Sequence, residues 1–180
     1  TKTLYMFSSP VKYMDEDGRL KDADPNITET ADTLKQSGYS HKNEFGKLKT
    51  YFADSLSNDK GVKIELNDDS IEFGFSIAEK KQNILQKAVS IFEKPQNKAS
   101  VTSENRVQKL EHLKVDNQNN IITLPTMDGA VQTFVLKEAP ENNKVTFWVK
   151  TEDTTPTVDS SNKSVVFSAD QTDFSIAVSD

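Results

Sequence analysis

The side chains that most often carry protein chemistry are sparse in this sequence. It has no cysteine, so thiolate metal sites, disulfides and cysteine nucleophiles are excluded for these residues. It has two histidines, His41 and His112, and neither has another histidine nearby to form a metal pair. A zinc site would need unusual help from carboxylates, so we interpret both histidines as ordinary surface residues.

Sequence motifs for catalysis are also missing. The six glycines form no phosphate-binding loop, no dinucleotide fingerprint and no Gly-x-Ser-x-Gly elbow. A Ser-His-Asp triad or a carboxylate pair assembles in space, so a hydrolase with such a site stays open as an alternative. We predict that the chain is not an enzyme and uses no cofactor.

An acidic cluster over residues 15–24 suggests a calcium site. If Gly18 took the sixth position of an EF-hand loop, the first ligand would be Tyr13, which cannot serve. An Asp-Gly pair is instead typical of a hairpin turn, where glycine adopts a positive φ. We therefore favour a turn, and Asp22 and Asp24 are the candidates for a weak calcium site.

Trp148 is the one tryptophan of the chain. On its expected strand Val145, Phe147 and Val149 take one face, so Trp148 shares the other with Lys150. An aromatic ring on a polar face can act as a platform on which a sugar stacks. Coverage of the ring by a loop or a second layer is the alternative that we favour, because a large ring is valuable packing material.

Composition excludes two classes of partner. Acidic residues outnumber basic ones 28 to 22, the net charge is -6, and the pI is about 5.0. Only Arg19 and Arg106 offer the guanidinium fork suited to phosphate, so we expect no nucleic-acid partner. An anionic membrane surface is an equally poor partner. No apolar run approaches the roughly 18 residues of a membrane span, so we expect no membrane insertion.

Alternation of apolar and polar side chains is the clearest structural signal. It runs over residues 62–66 and again over 71–77, on either side of the polar residues 67–70. A period of two on both sides of a polar turn predicts an antiparallel hairpin with one buried face.

Similar short strands are predicted along the rest of the chain, separated by Asn, Asp, Gly, Ser and Pro. They lie at residues 4–7, 11–13, 48–52, 121–124, 131–136, 145–149, 165–167 and 174–178. This pattern of short strands and turns predicts an all-β fold, either an antiparallel β-sandwich or curved β-sheets, in a single domain covering residues 1–180.

Residues 78–116 do not follow this pattern of short alternating strands. The apolar side chains of residues 84–92 follow a helical stripe that Pro95 would end, which predicts a short helix near 78–93. A strand over residues 88–92 is the alternative.

Two further segments are short of apolar residues. Val107, Leu110 and Leu113 have helical spacing within a short polar stretch. Residues 151–162 are polar and poor in strand-forming residues, so we predict a long loop there.

Three stretches resemble a recurring region of large secreted bacterial proteins. They are FSSPVKYMDEDGRLKDAD at 7–24, LKTYFA at 48–53 with GVKI at 61–64, and AVQTFVLKEAP at 130–140. In that family an aromatic residue and a Pro-Val-x-Tyr strand precede an acidic Asp-Gly turn. The proteins are the wall-associated, YD-repeat (RHS-like) and DNRLRE-containing surface proteins of Gram-positive bacteria. Leu20 stands where the family often has Trp, and Ala23 where it often has Ile.

The resemblance implies a non-catalytic structural or interaction module of a large extracellular, secreted or cell-wall-associated polypeptide. It implies neighbouring domains of the same polypeptide as partners, together with cell-wall or surface glycans, and it carries over no functional residues. The chain starts with Thr1 and not with methionine, and we expect it to be a fragment of something longer. A carbohydrate-binding module of the β-sandwich type, using Trp148, is the alternative function.

Overall fold

The computed structural model describes residues 2–8, 26–56, 60–77, 99–104, 107–113, 119–126, 128–136, 145–161, 163–170 and 172–179. Within these ranges the chain forms fourteen strands, β1 to β14, and one short helix, α1. The strands are β1 (Lys2–Ser8), β2 (Thr28–Glu29), β3 (Tyr39–Phe45), β4 (Leu48–Ala53), β5 (Val62–Leu66), β6 (Asp69–Ile77), β7 (Ala99–Glu104), β8 (Val107–Leu113), β9 (Asn119–Thr126), β10 (Gly129–Leu136), β11 (Val145–Thr151), β12 (Thr155–Asp159), β13 (Ser164–Ser168) and β14 (Asp173–Ser179); α1 is Asp32–Gln36. The predicted all-β fold is confirmed.

The strands form two antiparallel sheets. The larger has the order β12-β13-β14-β1-β10-β9-β8-β7, and the smaller has the order β11-β6-β5-β4-β3-β2. Strand β1 lies between β14 and β10, so the first and last described strands are neighbours. In the smaller sheet consecutive strands from β2 to β6 are joined as a meander, and β11 closes the far edge beside β6.

The predicted hairpin at residues 62–77 is confirmed as β5 and β6, with a tighter turn than expected. Leu66 pairs with Asp69, so the loop is only Asn67 and Asp68 and not the four residues 67–70. Asn67 has a φ of 57°. Asparagine tolerates this left-handed conformation better than most residues, because its short polar side chain can bond the local backbone.

The two sheets pack face to face around one apolar core. The smaller sheet contributes Leu48, Phe52, Val62, Ile64, Leu66, Ile71 and Phe73, and the larger contributes Leu110, Ile121, Ala130, Phe134, Phe167, Phe174 and Ile176. The rings of Phe134 and Phe147 meet edge to face across the sandwich, with centroids 5.7 Å apart. The strands that line this core present every second side chain to it, so the fold is sandwich-like, as predicted.

Most of the other predicted strands are confirmed. Segments 4–7, 48–52, 121–124, 131–136, 145–149, 165–167 and 174–178 all fall within strands. The strand expected at 11–13, the turn at Gly18, the helix expected near 78–93 and its alternative strand at 88–92 lie outside the described residues.

One segment that had helical spacing but no predicted structure forms a strand, and one predicted loop contains a strand. Residues 107–113, whose apolar spacing is helical, form strand β8, because Leu110 takes a core position beside Thr123 of β9. Residues 151–162, predicted as a long loop, contain strand β12, which pairs with β13. Strand β12 lies at the edge of the larger sheet, and its residues 155–158 are all exposed. Its sequence therefore lacks the alternation of apolar and polar residues by which a strand with one buried face is predicted.

Candidate functional site

The outer face of the smaller sheet carries the exposed aromatic ring of Trp148. This side chain lies on the edge strand β11, directly opposite Gly74 of β6, and it is 51% exposed. Its neighbours Phe147 and Val149 are half-buried against the core, which confirms the predicted division of faces. The favoured interpretation, that a loop or second layer covers the side chain, is wrong, because Trp148 is 51% exposed.

Small residues lie beside the indole on the adjoining strands. Gly74 of β6, Gly61 before β5 and Ala53 of β4 occupy neighbouring positions, and the Ala53 N–H donates to the Gly61 carbonyl at 2.9 Å. A Cβ at Gly61 would lie 2.5 Å from the Phe73 carbonyl oxygen, so the close backbone approach requires glycine there. The strip next to Trp148 is therefore built from backbone and small side chains. All three residues are buried, and Leu34 of α1 and Leu56 pack against the cluster to which Ala53 belongs.

A row of charged and aromatic residues runs parallel to this strip. It crosses five strands in register as Lys150, Glu72, Lys63, Tyr51 and Lys42. Opposite charges face each other at Lys150–Glu72 and Glu72–Lys63, and such cross-strand pairs stabilise a sheet. We call these five residues the charged row.

Hydrogen bonds and ion pairs fix the charged row. The Tyr39 hydroxyl donates to the Glu72 carboxylate at 3.0 Å, and the Lys63 ammonium lies 2.6 Å from the Glu65 carboxylate. The same ammonium lies 6.0 Å from the centroid of the Tyr51 ring. Burial, and secondarily Glu65, raises the pKa of Tyr51 to about 12, so its phenol stays neutral. The acids and bases of this face are thus largely compensated by one another.

His41 lies in β3, where it pairs with Phe52 of β4 and Glu29 of β2. It is half-buried, in contrast to the expected surface position, and its Nδ1 is 2.7 Å from the Ser40 hydroxyl. Burial lowers the pKa of His41, while the nearby carboxylates of Glu29 and Asp54 oppose this shift. The fold therefore favours the neutral imidazole.

We expect His41 to make stability depend on pH. Its folded pKa is below the ordinary value of 6.5, so its contribution is full above that value and declines as the pH falls through the folded pKa. His41→Gln should therefore flatten the loss of stability between about pH 7.5 and pH 5, as measured by urea unfolding midpoints. If His41→Gln and the unaltered protein lose stability equally over this pH range, His41 is not the source of the pH dependence. His112 is present in both proteins and does not affect the comparison.

The other candidate ligands do not assemble into a metal site in the described part of the chain. There, no three His, Asp or Glu side chains lie close enough together to hold a metal ion. Asp22 and Asp24 lie outside the described residues, as does the side chain of His112, although its backbone belongs to β8. The weak calcium site stays a prediction.

The amide side chains of buried Asn43 and half-buried Gln108 link the two sheets at the β2 end, and no sequence pattern indicates them. Asn43 of β3 accepts the Asn26 N–H at 2.9 Å and donates to the Thr126 carbonyl of β9 at 3.5 Å. Gln108 of β8 accepts the Ile27 N–H at 2.6 Å. These contacts tie the segment before β2 to both layers.

Comparison of the chain with protein-family models, with curated proteins and with solved structures found no match. Among the described residues, no helix has the length and apolar character needed to cross a membrane.

Proposed function

We propose that this chain is a non-catalytic structural and interaction module of a large bacterial cell-surface or secreted polypeptide. The polar groups in its interior support a non-catalytic role, because their hydrogen bonds join strands and segments of the fold to one another. Besides Asn43, the buried Gln132 amide donates to the Thr123 hydroxyl at 3.1 Å between β10 and β9. The titratable residues of the outer face likewise pair with one another.

The observation that carries the interaction role is the 51% exposure of Trp148 on the edge strand β11. Exposed aromatic rings offer a large contact area with little conformational entropy to lose, which is why they are enriched in binding surfaces. The resemblance at residues 7–24 supports the surface context, and neighbouring domains of the same polypeptide are the proposed partners.

Protease shaving of intact cells tests this context. An antibody raised against the chain should detect it in a polypeptide much larger than 20.2 kDa, and trypsin added to intact cells should release it. Recovery of the chain only from the cytosol, as a free polypeptide near that mass, would contradict the proposal. The complete coding sequence should show flanking YD repeats or a wall-anchoring signal.

Glycan binding through Trp148 is the second candidate function, and the position of the ring favours it. A sugar ring would stack on the exposed part of Trp148, on the edge strand β11. The charged row would then supply hydrogen-bonding groups to the hydroxyls on one side. Lys150 and Glu72 are the nearest members of that row along the strands.

We expect Trp148→Ala to weaken glycan affinity at least about tenfold while the fold is retained, because the stacking contact is lost. Affinity electrophoresis against cell-wall polysaccharide measures this change. Because Trp148 is the one tryptophan, its fluorescence should also shift when the intact protein binds.

Val158→Ala is the matched control, since Val158 is 74% exposed on β12, in the other sheet. It should leave the affinity unchanged. Equal retention of the Trp148→Ala variant and the unaltered protein would reject glycan binding at this site.

A further inference from the structure

The strands β1 and β14 are antiparallel neighbours, and their pairing fixes where the chain enters and leaves the domain. Six residue pairs join them, from Thr3 opposite Ser179 to Ser8 opposite Phe174. The beginning of β1 and the end of β14 therefore lie side by side at one end of the larger sheet. Polypeptide attached before β1 and after β14 would meet the domain at a single point.

This geometry determines how the pairing responds to tension. Hydrogen bonds between antiparallel strands run perpendicular to the strand axes. A force that separates Thr3 from Ser179 acts along these bonds and loads the end pair first. The pairs then break one after another, whereas a force along the strands would load all six together.

The junction between β1 and β14, which we call the seam, divides the larger sheet into two groups of strands. On one side lie β12, β13 and β14, and on the other lie β1, β10, β9, β8 and β7. The first group is one stretch of chain, and it places Phe167, Phe174 and Ile176 in the core, each at most 8% exposed. Separation at the seam would bring these three side chains into solvent.

We propose that the seam is a force-sensitive opening point, at which tension from the flanking polypeptide unzips β14 from β1 and exposes the apolar face of β13 and β14. This inference rests on the proposed function, since tension reaches the seam only in a module of a longer chain.

Single-molecule pulling on the full chain tests the seam with two loading directions. In the first, handles are attached to the two chain ends. In the second, the C-terminal handle is moved to a cysteine at Asp170→Cys, an exposed position in the turn between β13 and β14. This second geometry loads β1 and β14 along their axes in opposite directions. The chain has no other cysteine, so the attachment is unique.

We expect the opening force to be about two- to fourfold lower between the chain ends than in the second geometry, because unzipping loads one bonded pair at a time. Equal forces, or a lower force in the second geometry, would overturn the proposal.

A cross-link identifies the seam itself. Tyr5 and Ala177 are opposite each other in the strand register, so Tyr5→Cys with Ala177→Cys puts a pair of cysteines across the seam for oxidation to a disulfide. The oxidised variant should lose the low-force opening between the chain ends, and the reduced variant should regain it. If oxidation leaves the low force unchanged, the opening occurs elsewhere and the proposal is wrong.

A free cytosolic chain in the shaving experiment would contradict the proposed function without altering the measured forces, so the two failures are distinguishable.

Discussion

Phe134→Ala is expected to lower the free energy of unfolding by about 3–5 kcal/mol, the cost of removing a fully buried ring and leaving a cavity. Phe134 lies on β10 at 1% exposure, and its ring contacts Phe147 of the opposite sheet edge to face. Aromatic pairs in this arrangement contribute beyond the area they bury. The substitution therefore removes apolar burial and one of the contacts that join the two layers.

Val135→Ala is the matched control for this prediction. Val135 is the next residue along β10, points to the opposite face and is 40% exposed. Its truncation should change the free energy of unfolding by about 1 kcal/mol or less, because the substitution removes little buried apolar surface. Urea unfolding followed by circular dichroism measures both variants. Similar losses for the two substitutions would show that β10 does not face the core as described.

The contrast between Phe134 and Val135 reflects what alternation in a sequence can predict. Strands β5, β6, β10 and β11 bury one face in an apolar core, so their side chains alternate in type as they alternate in direction. The pattern gives both the strand and the side chain's face. It predicted the face of Trp148 for the same reason.

Strands without an apolar face give no such signal. Strand β3 directs His41 and Asn43 toward the face that holds Phe52 and Thr50, and Phe45 is the one large apolar residue on that side of β3. Strand β12 has no buried face because it is an edge strand. In both cases long-range pairing determines the strand, and the local sequence does not report it.

The exposure of Trp148 could not be predicted for a related reason. Its face followed from its neighbours along β11, but its coverage depends on which elements lie above that face. The position of β11 at the edge of the smaller sheet, beside the glycine at position 74, is a property of the topology. Sequence therefore indicated the candidate residue, and only the fold showed that Trp148 is 51% exposed.

The buried amide of Asn43 gives the second large expected effect. Asn43→Leu should lower the free energy of unfolding by about 2–4 kcal/mol, because it leaves the Asn26 N–H and the Thr126 carbonyl without their partner. Asn43 is 3% exposed, so water cannot readily replace the amide. Glu44→Leu, on the exposed neighbouring position, controls for the added apolar volume and should have a small effect.

Asn43→Asp separates the hydrogen bonds from the packing. A carboxyl at this buried position keeps an acceptor for the Asn26 N–H, but burial should raise its pKa above the ordinary value of about 3.9. The protonated form is then favoured by folding, so the variant should be most stable below that pH and lose stability as the pH rises through the folded pKa. Unfolding midpoints of this variant that are equally reduced at about pH 4 and pH 7 would show that the site is hydrated, and that Asn43 does not link the sheets through a dry interior.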